Sequence, residues 1–354
     1  MTSKSMQLGN EPEVGAVRMF FHSQFFTKIR HAPAGTDLSG KVAIITGGNT
    51  GLGLQAGIHM LSLKLSHLIL AVRTVSKGEK AACKLRKDYP SAKIQVWPLE
   101  MSSYESIQAF VRTVDTELSR LDMVILNAGV SRPDFTLCAS TGHEETIQVN
   151  YLSTFLLAIL LLPHLKDKSP AEKPGRLTIV SSGTALWAKL PNSKNTRPFL
   201  ASFDNTKIVP WATPARYFIS KLLGQLLFVR MLEYLDADQV IVNLVEPGMV
   251  KGTELHRGNK GIVRVLLNAH VNLSGRTLED GAWAYIDAVA VQGKESHGCF
   301  IMDFKPHAFA RLAYLPEGRT LMTTLWEETM SEFDFAGARD ILESLKKNRQ
   351  STAV

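Results

Sequence analysis

Residues 46–53 limit the fold of this chain more than any other part of its 354 residues. They follow an apolar, β-branched run at 41–46 and lead into apolar residues at helical spacing: Leu52, Leu54, Ile58 and Leu61. A buried strand, a tight turn and a helix are therefore predicted in succession. Glycines in the turn let the backbone approach a ligand, and the free N–H groups that begin the helix suit a pyrophosphate. A purely structural turn is the alternative.

Strand-like runs alternate with helical patterns from residue 41 to residue 302. This alternation predicts an α/β fold with a doubly wound, Rossmann-like parallel sheet, helices on both faces and a single domain. Residues 1–40 and 303–354 would form N- and C-terminal extensions, the latter with helical periodicity. A helix is predicted over 103–118, and strands are predicted at 41–46, 67–73, 93–98, 121–126, 176–182 and 240–245.

The end of the second predicted strand indicates which dinucleotide would bind. NAD enzymes usually carry a carboxylate there, whereas an arginine accommodates the 2′-phosphate of NADP. Val72 occupies the position of the acid, Arg73 follows it, and Lys77 is close behind. A guanidinium offers phosphate bidentate hydrogen bonds, and Asn49 could add a contact. These residues favour NADP(H), with a solvated Arg73 at a strand end as the alternative.

Four polar residues follow in an order that suits carbonyl chemistry: Asn150, Ser182, Tyr217 and Lys221. Tyr217 and Lys221 are four residues apart and would share one face of a helix. A nearby ammonium favours the phenolate and so lowers the tyrosine pKa from its usual value of about 10. Ser182, at the end of the predicted strand 176–182, could hydrogen-bond a substrate oxygen, whereas Ser181 would point to the opposite face.

Together with Asn127-Ala128-Gly129, these motifs resemble the short-chain dehydrogenase/reductase family over residues 41–302. The resemblance implies an NADP(H)-dependent oxidoreductase that interconverts a ketone or aldehyde and an alcohol. Tyr217 would be the general acid or base, Lys221 would also hold the nicotinamide ribose, and Asn150 would support a proton-relay water. The implied cofactor-binding residues are Gly47, Asn49, Thr50, Gly51, Leu52, Gly53, Arg73, Lys77, Glu100, Asn127, Ala128, Gly129, Tyr217, Lys221, Val250 and Thr253.

Several positions depart from the family pattern. Glu100, implied to lie beside the adenine ring, stands where Asp is common, and Leu126 replaces the first Asn of the fuller Asn-Asn-Ala-Gly motif. Gly252 adds one residue before Thr253, and Glu246 is an unusual residue directly before the Pro-Gly turn. The runs 51–55, 142–152, 252–255 and 295–298 are similar to those of fungal members in secondary-metabolite pathways, which implies a tailoring ketoreductase or alcohol dehydrogenase.

Two segments beyond the minimal family member carry aromatic residues. Residues 183–214 are predicted to be a substrate-pocket insertion, whose roof would imply a bulky apolar substrate such as a polyketide or terpenoid; a surface excursion is the alternative. The apolar residues of that segment are Trp187, Leu190, Phe199, Leu200, Phe203, Ile208 and Trp211. In the N-terminal extension, Phe20, Phe21, Phe25 and Phe26 would pack on the domain or near the pocket mouth, with a membrane-surface anchor as the alternative.

Composition excludes several other classes. Three scattered cysteines, Cys83, Cys138 and Cys299, fit a reducing compartment and neither a disulfide framework nor a metal site. The net charge of +7 is too diffuse to predict nucleic-acid binding. The apolar run 151–165 is shorter than the ~20 residues that cross a bilayer, so a buried helix or a subunit contact is expected. We expect a soluble, cytoplasmic protein that could form a homo-oligomer.

Two other functions stay open on the sequence alone. One is a non-catalytic NADP(H) sensor, which the retention of both Tyr217 and Lys221 disfavours. The other is epimerisation or cyclisation on the same scaffold, in which the cofactor only shapes the pocket. Neither the substrate nor the direction of the reaction follows from the sequence.

Overall fold

An eight-stranded sheet forms the centre of the computed structural model, which describes residues 3–10, 15–170, 172–191, 196–253, 271 and 273–351. The strand order is β3-β2-β1-β4-β5-β6-β7-β8, and all pairs are parallel except β7 with β8. The order reverses between β1 and β4, which is where doubly wound sheets bind their ligands. The strands are β1 Val42–Thr46, β2 His67–Val72, β3 Lys93–Pro98, β4 Met123–Leu126, β5 Gly175–Val180, β6 Val240–Glu246, β7 Phe300–Met302 and β8 Lys305–His307.

The predicted α/β fold class is confirmed, and the six predicted strands all form. The central strands β1, β4 and β6 are buried on both faces, as the strands of a covered parallel sheet are. Two boundaries were wrong by two residues: β4 begins at Met123, and β5 ends at Val180, so Ser182 lies two residues beyond the strand. The short strands β7 and β8 were not predicted, because three residues carry too little periodicity to identify a strand.

Helices cover both faces of the sheet, and local capping fixes several of their starts. Ser103 caps the predicted helix at 103–118 by accepting from the Ser106 N–H, and Thr277 accepts from the Asp280 N–H in the same way. The helices are α1 Lys4–Gln7, α2 Ala16–Phe21, α3 Gly51–Ser62, α4 Val75–Asp88, α5 Tyr104–Glu117, α6 Glu145–Lys168, α7 Thr213–Met231, α8 Leu278–Ile286, α9 Pro316–Glu332 and α10 Ala338–Ser351.

The most apolar helix, α6, belongs to the core. It has 24 residues, long and apolar enough to cross a membrane by length and composition, but 89% of its most apolar window is buried inside the fold. It packs on β5 and α5, and the C-terminal α10 lies against it. Burial within the chain therefore explains the apolar run at 151–165.

The C-terminal helices add to the same core. α9 packs on α7 and contributes Leu325 and Trp326, both almost fully buried, while α10 contributes Leu342 and Leu345. The Glu328 carboxylate accepts the backbone N–H groups of residues 199 and 200 at 2.8 and 2.7 Å. Residues 303–351 are thus integrated with the sheet domain through both apolar and polar contacts.

We predict that Leu325→Ala lowers the free energy of unfolding by about 2–5 kcal/mol, because it leaves a cavity between α9 and α7. Leu273→Ala is the matched control: Leu273 is 87% exposed, and its loss should change stability by no more than about 0.5 kcal/mol. Urea unfolding followed by circular dichroism measures both. Similar small effects of the two substitutions would contradict the packing of α9 on the domain.

Candidate active site

A cavity of about 1040 Å³ opens at the carboxyl edge of the sheet, beside the point where the strand order reverses. Most of the predicted site residues line it, although they come from widely separated parts of the chain. Two do not: Gly53 and Asn150 lie behind its wall. The predicted residues that line the cavity are Gly47, Asn49, Thr50, Gly51, Leu52, Arg73, Lys77, Glu100, Asn127, Ala128, Gly129, Ser182, Tyr217, Lys221, Val250 and Thr253.

The Gly-rich turn between β1 and α3 forms one end of this cavity. Gly47 and Gly51 have φ angles of +64° and +56°, which other residues adopt only with strain. A Cβ at Gly53 would lie 2.6 Å from the Asn127 Nδ2 and 2.7 Å from the Gly47 carbonyl oxygen, so this glycine allows α3 to pack closely on the turn. Thr50 caps α3 without a side-chain hydrogen bond, which leaves the first N–H groups of the helix for a ligand.

Arg73 and Lys77 place positive charge beside the Gly-rich turn. Both line the cavity, and about half of the Arg73 side chain is exposed. Glu100, at the end of the neighbouring strand β3, lies 3.7 Å from the Arg73 Nε and also accepts the Ser102 N–H. An ion pair this exposed is weak, so the guanidinium remains available to an anion.

Thr46 and Asn127 join β1 to β4 at the floor of the cavity. The Thr46 hydroxyl accepts the backbone N–H groups of Asn127 and Ala128 at 3.0 and 2.9 Å. The Asn127 amide donates to the Thr46 carbonyl, and its oxygen accepts the Tyr285 hydroxyl at 3.1 Å. Tyr285 comes from α8 and was not predicted, because no local sequence pattern connects it with Asn127.

Tyr217 and Lys221 lie on one face of α7 and both reach the cavity. Burial raises the pKa of Tyr217 to about 12; the charge of Glu246 adds to this rise, and hydrogen bonding with Ser182 opposes it. Burial lowers the pKa of Lys221 to about 8. The Lys221 ammonium donates to the Val180 carbonyl at 2.9 Å and lies 5.8 Å from the centre of the Tyr217 ring. This structure therefore does not show the lowered tyrosine pKa that the spacing of Tyr217 and Lys221 predicted, because burial of the phenol outweighs the other effects.

Ser182 faces the cavity from the loop that follows β5. It is the N-cap of a short 3₁₀ turn, Gly183–Trp187, and its hydroxyl oxygen lies 3.3 Å from the Thr184 N–H and 2.9 Å from the Thr184 hydroxyl. These contacts fix the direction of the side chain. Ser181 also lines the cavity, so the strand alternation used to separate the two serines does not apply beyond Val180.

Asn150 is buried in a π-helical turn of α6, and its amide is fully engaged. Its oxygen accepts the Val130 N–H at 2.8 Å, and its nitrogen donates to the Val130 carbonyl at 2.8 Å and the Ser220 hydroxyl at 3.0 Å. Asn150 therefore fastens the segment after β4 to α6 and α7. Its side chain does not reach the cavity directly.

A buried ion pair holds α6, α7 and the insertion together. Arg216, next to Tyr217, lies 3.9 Å from the Glu144 carboxylate, which caps α6. The same guanidinium donates to the Phe203 carbonyl at 2.9 Å and lies over the rings of Phe203 and Trp211. Tyr217 is thus positioned by residues from three separate segments.

Within its described part, the insertion predicted at 183–214 lines the cavity only near its two ends, through Gly183, Thr184, Trp187, Thr213 and Pro214. Trp187 lines the cavity, but Phe199, Leu200 and Phe203 are buried in the hydrophobic core. These residues follow residues 192–195, which lie outside the described part of the chain. These side chains pack near α9. The sequence pattern shows that they are apolar, but it does not distinguish packing against a helix from lining a pocket.

The N-terminal extension supplies part of the cavity instead. Phe20, Ser23 and Gln24 line it, which agrees with the predicted position near the pocket mouth. The Gln24 amide accepts the Met249 N–H and donates to the carbonyls of Met249 and Ser274. The other three aromatic residues of the segment, Phe21, Phe25 and Phe26, are exposed.

The sequence matches a known protein family. Residues 41–192 match the family model described as short chain dehydrogenase. The chain is 55% identical over 329 residues to the short chain dehydrogenase/reductase mfmJ of Annulohypoxylon moriforme, covering 93% of this chain and 95% of that one. It is 40% identical to the short chain dehydrogenase virL of Hypocrea virens, covering 97% and 100% of the two chains.

Solved structures show the same fold. L-sorbose reductase from Gluconobacter frateurii, solved with NADPH and L-sorbose, aligns with a TM-score of 0.56 and 19% identity over 76% of this chain and 97% of its own. The NADPH-dependent 3-quinuclidinone reductase from Rhodotorula rubra aligns with a TM-score of 0.56 and 22% identity over 78% and 96%. On the strength of its relatives' identity and coverage, this chain belongs to the short-chain dehydrogenase/reductase family of oxidoreductases.

Proposed function

We propose that the protein is an NADP(H)-dependent oxidoreductase that interconverts a ketone or aldehyde and an alcohol on a bulky apolar small molecule. One observation carries the proposal: Ser182, Tyr217 and Lys221 line the same cavity as the Gly-rich turn and the basic pair Arg73 and Lys77. A proton donor, a hydroxyl that can bind the carbonyl oxygen and a turn suited to a dinucleotide therefore share one cavity. This combination matches the requirements of carbonyl reduction.

The residues present fit a dinucleotide with a 2′-phosphate. The positive-φ glycines and uncapped N–H groups of α3 suit the pyrophosphate, and Arg73 with Lys77 suits the additional phosphate. Val250 and Thr253, after the Pro-Gly turn, line the cavity and would hold the nicotinamide half, and Glu100, which also lines it, would lie beside the adenine. When bound, the cofactor supplies or accepts the hydride.

The side chains of this chain would handle the proton and the oxygen. Tyr217 donates its proton to the carbonyl oxygen during reduction and accepts it back during oxidation. Ser182 hydrogen-bonds that oxygen and stabilises the negative charge that develops on it. Lys221 would hold the nicotinamide ribose, and its ammonium would favour the phenolate form of Tyr217. Asn150 supports the proton-relay water by fixing the backbone of its helix and of the segment around Val130.

The size and walls of the cavity support a bulky apolar substrate. The volume of about 1040 Å³ lies at the upper end of the range of ligand pockets, and Phe20, Trp187, Val149 and Met302 contribute apolar walls. Together with the resemblance to fungal tailoring members, this supports a polyketide or terpenoid-type secondary metabolite. The competing proposals are an NADP(H) sensor and a template for epimerisation or cyclisation, and in neither of them does the cofactor deliver a hydride that is retained as the new C–H bond of an alcohol product.

We predict that Tyr217→Phe lowers kcat/KM for lipophilic ketones by about 10²–10⁴-fold, because the proton donor is lost while the ring remains. NADPH binding, measured by fluorescence, should be preserved. Tyr89→Phe, outside the cavity, is the matched control and should leave turnover unchanged. Deuterium should pass from deuterated NADPH to the alcohol carbon in the wild type. Retained turnover in Tyr217→Phe, or product without deuterium, would contradict the proposal.

We predict that Arg73→Asp weakens NADPH binding by about 10- to 100-fold, since charge-assisted contacts to phosphate are lost and repulsion is added. NADH, which lacks the 2′-phosphate, should lose much less affinity. Lys80→Asp makes a comparable change of charge at an exposed position away from the cavity and controls for general electrostatics. Equal losses for the two cofactors would refute the role assigned to Arg73.

A further inference from the structure

Glu246 is a buried carboxyl group of the cavity to which the mechanism above gives no role. It is the last residue of β6, it lines the cavity, and only 8% of its surface is exposed. Its side chain lies over Gly183, the residue after Ser182; a Cβ at Gly183 would be 3.7 Å from the Glu246 Oε1. The carboxyl group is therefore close to the residue proposed to bind the reacting oxygen.

Only part of the hydrogen-bonding capacity of this carboxyl group is used within the described part of the chain. Its Oε2 is buried and has no hydrogen-bond partner there. The nearby cation, Arg276, is already engaged: its guanidinium lies 3.0 Å from the Asp303 Oδ1 and 3.0 Å from the Pro247 carbonyl oxygen. Burial raises the pKa of Glu246 to about 7; Asp303 adds to the rise, while Arg276 and the N–H groups of residues 183 and 248 oppose it.

A buried carboxyl group with one oxygen that accepts no hydrogen bond destabilises the protein in which it sits. Evolved chains keep such local conflicts mainly at functional sites. Glu246 also acts electrostatically on both Tyr217 and Tyr285, whose pKa values it raises, so it belongs to the catalytic end of the cavity. A ligand that donates a hydrogen bond at this point would satisfy the orphaned oxygen.

We propose that Glu246 is a specificity-determining residue that accepts a hydrogen bond from a hydroxyl group of the substrate, next to the reacting carbonyl. The substrate class is then a hydroxylated ketone or aldehyde on an otherwise apolar skeleton. This inference rests on the proposed carbonyl chemistry and names the second functional group that the site recognises. Apolar walls select the skeleton, and the carboxyl group of Glu246 selects the hydroxyl.

The test uses matched ketones that differ in a single donor. The probes are 1-tetralone, its four isomers with a hydroxyl on the aromatic ring, and the corresponding methoxy compounds. Affinities are measured by calorimetry for the full-length Tyr217→Phe protein saturated with NADPH, so that binding is read without turnover. Values of kcat/KM are measured in parallel with the otherwise unchanged enzyme. Both backgrounds are combined with Glu246→Gln, which keeps an acceptor, and Glu246→Leu, which removes it.

At least one hydroxytetralone should bind about 10- to 100-fold more tightly than 1-tetralone and its methoxy counterpart. Glu246→Leu should abolish this preference, Glu246→Gln should retain part of it, and binding of 1-tetralone itself should not change. Equal affinities across the series, or no binding by any of the ketones, would overturn the inference. A change confined to NADPH affinity would also overturn it, since the carboxyl group would then serve the cofactor.

The two proposals can fail separately. Turnover of 1-tetralone without any preference for a hydroxyl would leave the reductase proposal intact and reject the role of Glu246. A preference for a hydroxyl in binding, without turnover of any ketone, would support the role of Glu246 and count against the reductase.

A measurement without ligand checks the same orphaned group. Because burial favours the protonated carboxyl, the wild type should lose stability as pH rises from about 4.5 to 7, the range between the ordinary and the raised pKa. Glu246→Gln cannot ionise and should show a Tm above that of the wild type at pH 8 and equal to it at pH 4.5. A lower Tm for Glu246→Gln at pH 8 would show that the carboxylate is partnered and would reject the inference.

Discussion

The hydrogen bonds between Thr46 and the backbone of residues 127 and 128 hold the rest of the site in place. They join β1 to β4 where the strand order reverses, and so they fix the gap into which a ligand can enter. The Gly-rich turn begins directly after Thr46. The Asn127 amide donates a hydrogen bond to the Thr46 carbonyl and accepts one from the Tyr285 hydroxyl. The Thr46 hydroxyl thereby fixes the position of the Gly-rich turn relative to residues 127 and 128, on the other side of the gap.

Residues recognisable by local pattern were predicted well, and residues defined by distant contacts were not. Buried strands such as β1 and β6 have continuous apolar runs, and Tyr217 with Lys221 has helical spacing, so each was visible in a short window of sequence. The carboxyl–guanidinium contact of Glu100 with Arg73, the engagement of Asn150 by Val130, and the support from Tyr285 depend on segments far apart in sequence. The apolar residues of the insertion were visible, but whether they face a pocket or a core is decided by α9.

The site uses two kinds of buried charge. Arg216 and Glu144 lie close to each other and to hydrogen-bond partners, so their burial fastens the insertion, α6 and the start of α7 around Tyr217. Glu246 lacks such compensation and lies against the open space of the cavity. The Arg216–Glu144 pair therefore has a structural role, whereas Glu246 keeps one oxygen that could bind a ligand.

The contacts of the N-terminal extension also set the order in which the chain can complete its cavity during synthesis. Gln24 bonds to residues 249 and 274, Ser23 to Asp303, and Arg30 to the carbonyl of residue 304. Residues 23–30 are therefore synthesised well before residues 249–304, the part of the chain on which they dock. Until β7 and the residues after it have been synthesised, the contacts that hold Phe20, Ser23 and Gln24 against the cavity are incomplete. A nascent chain released before that point would carry an incomplete site.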